Sequence, residues 1–154
     1  MDARKQVMEV AKSWLGLDFK PGRSEQCAAF VRAVYGEAGI PLGVARTPRD
    51  WDLTSSLAQG PQFANSFFSD EVGEAVPWEQ AREGDLLAFR DTYEGDFPAG
   101  CITHVGIYGG EGHMIDRSTS SEPVRRIPVQ GFWRERLVEV LRPRALLTGC
   151  SSPE

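Results

Sequence analysis

Long hydrophobic runs are missing from this 154-residue sequence. The longest uninterrupted apolar stretch, Cys27–Val31, has five residues, whereas a membrane-spanning helix needs about 20. The first ten residues, MDARKQVMEV, contain no apolar segment of the kind that forms the centre of a secretory signal peptide. We therefore expect a protein that is synthesised in the cytoplasm without a signal peptide and that does not insert into a membrane.

Cysteine and positive charge are also scarce. The three cysteines are too few and too scattered for a disulfide scaffold, and no pair of ligands has the spacing of a zinc signature. The formal net charge is -5, from 17 Lys and Arg against 22 Asp and Glu, which disfavours binding to phosphate backbones. The phosphate-binding patterns GxxxxGK[ST] and GxGxxG are absent. The sequence therefore predicts no metal, no nucleotide cofactor and no nucleic acid partner.

The residues that are present suffice for one domain with a core, because 41% of them are hydrophobic. We expect a single domain over residues 1–147 and a loose polar tail over 148–154. Apolar residues at helical spacing predict helices over 4–15, from Ser24 to Tyr35, and over 49–57. Short apolar runs bounded by turns predict strands over 86–89, 104–108, 113–117, 125–129 and 137–141. This order of elements predicts an α+β domain, with N-terminal helices packed on an antiparallel sheet.

Cys27 is the candidate nucleophile. If Ser24 caps the second helix, Cys27 occupies the third position, where unpaired backbone N–H groups favour a thiolate. Cys27 also lies on the apolar stripe of that helix, and free cysteine is among the residue types most often buried. The position alone therefore fits either a reactive thiol or a structural one. We expect Cys101 to be a loop or core thiol and Cys150 to belong to the tail.

His104 is the candidate base, because a thiol nucleophile needs an imidazole to accept its proton. In the predicted strand, Val105 and Ile107 should face the core, while His104 and Gly106 share the opposite face. Gly106 has no side chain and would leave room for a close approach beside the histidine. The other histidine, His113, lies beside a turn and fits a surface residue better than a catalytic one.

Asp116 is the candidate group that orients the imidazole. A three-residue loop at 109–111 would pair Gly106 with Met114 and His104 with Asp116. Residues directly opposite each other in an antiparallel pair have Cβ atoms about 5 Å apart, close enough for their side chains to interact. Taken alone, Asp116 fits a solvated carboxylate at a strand end equally well.

Three blocks of sequence carry this constellation: AKSWLGLDF with QCAAFVRAVYGEAGIP, then REGDLLAF, then HVGIYGGEGHMID. In this order they resemble the NlpC/P60 family of papain-like cysteine peptidases, which cleave the peptide stems of bacterial peptidoglycan. The resemblance implies a papain-like fold and matches Cys27 to the nucleophile and His104 to the catalytic histidine. Asp116 falls at the third polar position, which is often a histidine in relatives. The related CHAP family has the same cysteine-then-histidine order and a similar first block.

The sequence departs from the family pattern in two places. The family's Asp-Cys-Ser-Gly is QCAA at residues 26–29, and the family's Asp and Ser help to hold the free amine of the substrate stem. Recognition of that end is therefore expected to change. The segment between residues 40 and 78 is long enough to form a lid or wall over the cleft. The residues expected to contact the substrate are Gln26, Ala28, Phe19 and Gly106.

The sequence thus predicts a monomeric cysteine hydrolase of peptidoglycan amide bonds that needs no cofactor. Cys27 attacks the carbonyl, His104 acts as base and then as acid, and Asp116 orients the imidazole, while the Cys27 backbone N–H contributes to an oxyanion hole. Without a signal peptide, phage lysis, a phage tail or a secretion machine would have to deliver it. Two alternatives stay open: a papain-like binding or structural module without activity, and a thiol amidase with a protein or another acyl substrate.

Overall fold

The computed structural model describes residues 2–19, 26–54, 60–92, 98–117 and 122–151. Within these ranges the helices are α1 (Ala3–Ser13), α2 (Gln26–Ala38), α3 (Trp51–Thr54), α4 (Phe132–Arg136) and α5 (Arg144–Ser151). The strands are β1 (Gly73–Val76), β2 (Leu86–Arg90), β3 (Ile102–Gly110), β4 (His113–Asp116), β5 (Arg125–Pro128) and β6 (Leu137–Pro143). Short 3-10 helices occur at Ala64–Phe67 and Trp78–Gln80. No helix in these ranges is long and apolar enough to cross a membrane.

The six strands form one antiparallel sheet in the order β1-β6-β2-β3-β4-β5. Alternate residues of β2 face two apolar layers, because successive side chains of a strand point to opposite faces. Leu86 and Ala88 face the layer that contains α1 and α2, whereas Leu87 and Phe89 face a second layer with Trp133. The centre of the sheet is therefore buried on both sides, which explains the unbroken apolar run in β2.

The predicted α+β fold, with N-terminal helices on an antiparallel sheet, is confirmed. The predicted helix over 4–15 corresponds to α1, where the Asp2 carboxylate accepts a hydrogen bond from the Arg4 backbone N–H at 3.0 Å. The predicted cap of α2, Ser24, lies outside the described residues. The elements that the sequence did not predict, β1, α4 and α5, are short or lack a clear period. Helix α5 continues to Ser151, so the first residues of the predicted tail are helical.

The turn between β3 and β4 differs from the predicted one. β3 extends to Gly110 and β4 begins at His113, so the loop consists of Glu111 and Gly112. Both residues have positive φ, 55° and 75°. Two consecutive residues of positive φ form the tight turn that matches the twist of a hairpin. The predicted three-residue loop at 109–111 is therefore wrong.

The register of the hairpin differs accordingly. Tyr108 pairs with Met114, whereas the predicted loop paired Gly106 with Met114. The predicted register is therefore wrong by two residues, and His104 is not directly opposite Asp116. A shift of two residues keeps every side chain on its face, because the side-chain period of a strand is two. His104 and Asp116 still share one face of the sheet.

The described part of the long segment over 40–78 packs against the core. Arg32 of α2 donates hydrogen bonds to the Gly43 and Pro61 carbonyl oxygens, at 3.1 and 3.0 Å, and to Ser66 Oγ at 2.8 Å. Its guanidinium group lies 4.2 Å from the centroid of the Phe67 ring, which is fully buried. These contacts attach the described part of the segment to α2 and to the buried Phe67.

A buried carboxylate fastens the turn that precedes β2. Asp85 is fully buried and forms ion pairs with Arg4 of α1 at 3.1 Å and Arg142 of β6 at 2.9 Å. It also accepts a hydrogen bond from the Arg82 backbone N–H at 2.9 Å. The Gly-Asp turn therefore joins α1, β2 and β6 at the end of the sheet.

Candidate active site

Cys27 is the second residue of α2. The first backbone N–H groups of a helix have no partner within the helix, so this position offers hydrogen-bond donors to negative charge. The Cys27 side chain is 3% exposed and touches the apolar layer between the helices and the sheet. Burial alone is what a structural thiol would show, so the neighbours of the sulfur decide its role.

His104, on β3, supplies that neighbour. Its side chain is 3% exposed, and its Nε2 lies 2.6 Å from Asp116 Oδ2. The ring also interacts with Cys27 through a hydrogen bond and through charge. The imidazole therefore interacts with both the thiol and the carboxylate, as the base between a thiol nucleophile and an orienting group must.

The imidazolium form of His104 is strongly favoured. Burial lowers the pKa of His104, but hydrogen bonds to Asp116 and Cys27, together with the charges of these two groups, raise it to about 9. An ordinary histidine has a pKa near 6.5. His104 can therefore hold a proton at neutral pH, as an acid for a leaving amine must.

Asp116 is fully buried at the end of β4 and is held from two sides. Besides His104, it meets Arg125, which is its pairing partner on β5. Arg125 Nε donates to Oδ1 at 2.7 Å and Nη2 donates to Oδ2 at 3.2 Å. Burial raises the pKa of Asp116, but the hydrogen bonds and charges of His104 and Arg125 lower it overall. Asp116 is therefore a carboxylate and not a solvated strand-end residue.

Aromatic rings cover the imidazole. The centroid of the His104 ring lies 5.0 Å from Trp133 of α4 and 6.0 Å from Phe89 of β2. The Arg125 guanidinium lies 5.6 Å from the Trp133 ring centroid. Sequence reasoning missed both Arg125 and Trp133. Only the β4–β5 register, which pairs Asp116 with Arg125, could have indicated the first of them.

Two residues expected to contact the substrate are enclosed by the protein: the side chain of Ala28 is not accessible, and Gly106 has no free space beside it. Ala28 is fully buried, so its methyl group packs in the core, and the prediction of substrate contact is wrong for this side chain. A Cβ added at Gly106 would lie 2.8 Å from Met114 Sδ and 3.5 Å from Asp116 Cβ. The room beside Gly106 is therefore occupied by the protein itself, not open to a ligand.

The other two expected contacts stay predictions. Phe19 is half-buried, with its ring edge-to-face against Trp14 at 5.3 Å and Phe30 at 5.6 Å. Its carbonyl oxygen accepts a hydrogen bond from Arg117 Nε at 3.1 Å, which holds the backbone at Phe19. The side chain of Gln26 lies outside the described part of the structure.

The remaining thiol and imidazole lie apart from this cluster. Cys101 is fully buried, and burial, with the charges of Asp50 and Asp91, raises its pKa to about 11. His113 is partly exposed, and its Nδ1 lies 2.9 Å from the Glu111 carbonyl oxygen. Across the residues that the structure describes, no group of three or more His, Cys, Asp or Glu side chains is placed to hold a metal ion.

A sequence model of the NlpC/P60 family matches residues 16–142, which contain the whole cluster. The chain belongs to the NlpC/P60 family. Among NlpC/P60 relatives, it is 32% identical over 143 residues to the bifunctional muramidase/DL-endopeptidase CwlT of Bacillus subtilis, covering 90% of this chain and 36% of CwlT. It is 26% identical over 147 residues to the murein DD-endopeptidase MepS/murein LD-carboxypeptidase of Escherichia coli strain K12, covering 92% of this chain and 64% of MepS.

The chain thus spans about a third of CwlT and less than two thirds of MepS. Among solved structures, it is similar to an NLP/P60-family protein of Staphylococcus aureus, with a TM-score of 0.62 and 22% identity. That similarity covers 92% of this chain and 41% of the other. It shows that the NlpC/P60 fold is shared.

Proposed function

We propose that this NlpC/P60 domain is a cysteine hydrolase that cleaves amide bonds in the peptide stems of bacterial peptidoglycan. The observation that carries the proposal is the linked arrangement of Cys27, His104 and Asp116, in which the imidazole bonds to the carboxylate through Nε2 and also interacts with the thiol. The names of CwlT and MepS, both endopeptidases, support this substrate class. The proposed place of action is the bacterial cell wall.

The reaction proceeds through a thioester. The Cys27 thiolate attacks the amide carbonyl carbon, and the backbone N–H of Cys27 donates to the oxyanion that forms. The tetrahedral intermediate collapses as His104 gives its proton to the leaving amine, which departs. Water then attacks the thioester, with His104 as base, and releases a carboxylic acid and the free thiol. Asp116 holds the imidazole in the orientation that both proton transfers need.

The residues beside the nucleophile bear on the substrate end that is recognised. A neutral Gln26 stands where the resemblance expects an aspartate that helps to hold a free amine. A side chain without charge attracts an ammonium group less than a carboxylate does. We therefore propose that the free amine of the stem is less important for this chain.

A matched pair of cysteine variants tests the activity. We expect Cys27→Ala to abolish hydrolysis of purified peptidoglycan, measured by mass spectrometry of the released fragments. Cys101→Ala removes a buried thiol of the same domain and should keep most of the activity, because Cys101 lies outside the cluster. Activity that persists in Cys27→Ala, or an equal loss in the two variants, would refute the assignment of Cys27.

A binding or structural module without activity is the second candidate, and the near-complete burial of Cys27 favours it. Alkylation with iodoacetamide separates the two candidates. A thiolate paired with an imidazolium reacts well below pH 8.5, about the pKa of a free thiol, whereas a sealed core thiol does not react. Rapid alkylation of Cys27 at neutral pH supports the hydrolase, and its absence supports the module.

A further inference from the structure

The carboxylate that orients His104 is itself bound by an arginine. Asp116 Oδ1 accepts a hydrogen bond from Arg125 Nε at 2.7 Å. Asp116 Oδ2 lies 2.6 Å from His104 Nε2 and also accepts from Arg125 Nη2 at 3.2 Å. Each carboxylate oxygen therefore has a charged partner, and two points of contact fix the plane of the carboxylate.

Trp133 is close to both partners of Asp116. The centroid of its ring lies 5.6 Å from Arg125 Cζ and 5.0 Å from the centroid of the His104 ring. Arg125 also lies 3.5 Å from the exposed carboxylate of Glu122. An arginine held at an aromatic ring and at a carboxylate has few orientations left, so it can act as a rigid support.

We propose that Arg125 is a positioning residue that acts on His104 through Asp116: it fixes the carboxylate and offsets part of its negative charge. The proposal rests on the proposed function, because it extends the three-residue cluster to a fourth member. Arg125 bonds to Asp116 and not to His104, so it is not a catalytic residue.

Because Arg125 offsets part of the negative charge of Asp116, it also affects how readily His104 releases its proton. Cys27 from α2 and Asp116 from β4 act on the imidazole directly, and Arg125 and Glu122 lie beyond Asp116. A buried carboxylate without Arg125 would attract the imidazolium more strongly, since charges interact strongly where water is excluded. His104 would then release its proton less readily to a leaving amine. Arg125 thus keeps the imidazolium acidic enough to serve as an acid.

The first test is an NMR titration of the imidazole rings, which needs no substrate. His104 and His113 are the two histidines of the sequence, so a His113→Gln variant assigns their signals. We expect Arg125→Gln to raise the apparent pKa of His104 above that of the wild type. Arg126→Gln removes the same charge from the next residue, which contacts the Gly110 carbonyl oxygen, and should leave His104 unchanged. An unchanged or lowered His104 pKa in folded Arg125→Gln would overturn the proposal.

The second test separates geometry from charge. Arg125→Lys keeps a positive charge but loses the two-point contact, so we expect a His104 pKa close to that of the wild type. Its kcat on soluble peptidoglycan fragments should fall about 10- to 100-fold with little change in KM, because a small misplacement of a reacting group costs up to about 10²-fold in rate. Wild-type kcat in Arg125→Lys would overturn the positioning role, even if Arg125→Gln failed to fold.

Failure of the proposed function gives a different pattern. If the wild type does not hydrolyse peptidoglycan, the kinetic test has no signal, but the imidazole titrations of Arg125→Gln and Arg126→Gln still decide whether Arg125 controls His104. A residue with a merely structural role would lower the folded fraction without shifting the His104 titration of the molecules that remain folded.

Discussion

At the scale of single residues, the proton on His104 depends on its two neighbours, Asp116 and Cys27. Because its pKa is raised to about 9, the imidazolium persists at neutral pH and is lost as the pH rises through about 9. Hydrolysis that needs the imidazolium as an acid should therefore decline near this upper value. With an ordinary histidine, whose pKa is near 6.5, it would decline earlier.

Asp116→Asn tests this dependence. Asparagine keeps the shape of the side chain but removes the charge that favours the imidazolium, so the pKa of His104 should fall. We expect the upper limb of the pH profile of kcat/KM to move to lower pH, and kcat to fall about 10²- to 10⁴-fold. Initial rates on peptidoglycan fragments across the pH range give both numbers. Glu74→Gln, at an exposed position of the edge strand β1, is the control. An upper limb that stays in place in Asp116→Asn would contradict the assignment.

Sequence reasoning predicted a site of Cys27, His104 and Asp116, and the structure brings these residues together. The prediction was possible because nucleophile, base and orienting group are restricted to few residue types and the chain has two histidines. It could not identify Arg125, whose role depends on a pairing between β4 and β5. It was wrong about the side chain of Ala28 because the residue after a nucleophile can face the core as easily as the cleft. Periodicity alone does not separate these two faces at the start of a helix.

At the scale of elements, the Gly-Asp turn before β2 joins three parts of the fold through Asp85. We expect Asp85→Ala to lower the free energy of unfolding by about 3–5 kcal/mol, because the buried guanidinium group of Arg4 and the partly buried one of Arg142 lose their carboxylate. Glu83→Gln, in the same turn, removes only the exposed pair with Lys12 and should cost about 0–1 kcal/mol. Urea unfolding measures both, and equal losses would show that burial of the ion pair is unimportant.

The hairpin that carries His104 and Asp116 contains a residue poorly suited to its backbone. Glu111 has φ of 55°, a left-handed conformation that asparagine tolerates better than glutamate. We therefore expect Glu111→Asn to raise the free energy of unfolding by up to about 1 kcal/mol. The ion pair that it removes, with Arg126 at 3.7 Å, is highly exposed and contributes little.

Gly112→Ala is the counterpart of that change. Gly112 has φ of 75°, which glycine adopts without strain but alanine does not. A Cβ added at Gly112 would clash with nothing, because no other atom lies within 4 Å of it. We expect a loss of about 1 kcal/mol in urea unfolding. Equal stability of the two variants would show that the turn relaxes when its residues change. Glutamate at position 111 also explains why the sequence did not indicate the true turn, since the usual Asn-Gly signal is missing.

At the scale of the whole molecule, the order of the strands in the sheet could not be predicted from the sequence. β6 is the last strand along the chain, yet it lies between β1 and β2 in the sheet. The sheet therefore depends on contacts between segments that are distant in the sequence. Local patterns fix which residues alternate on a strand, but they do not fix which strands become neighbours. The packing of the described part of the segment over 40–78 could not be predicted either, because Arg32 of α2 binds it through backbone carbonyl oxygens, which carry no sequence signal.

Arg32 tests whether this segment and the sheet form one cooperative unit. Arg32→Met removes hydrogen bonds to Gly43, Pro61 and Ser66 and the contact with the Phe67 ring, and we expect the free energy of unfolding to fall by about 2–4 kcal/mol. Urea unfolding followed by tryptophan fluorescence and by far-UV circular dichroism should give coincident single transitions in the wild type and in the variant. Arg46→Met, on the same segment, changes a side chain that is 91% exposed and should shift the midpoint very little. A separate early transition in Arg32→Met would show instead that the segment unfolds independently of the sheet, and the interpretation of residues 1–147 as one domain would fail.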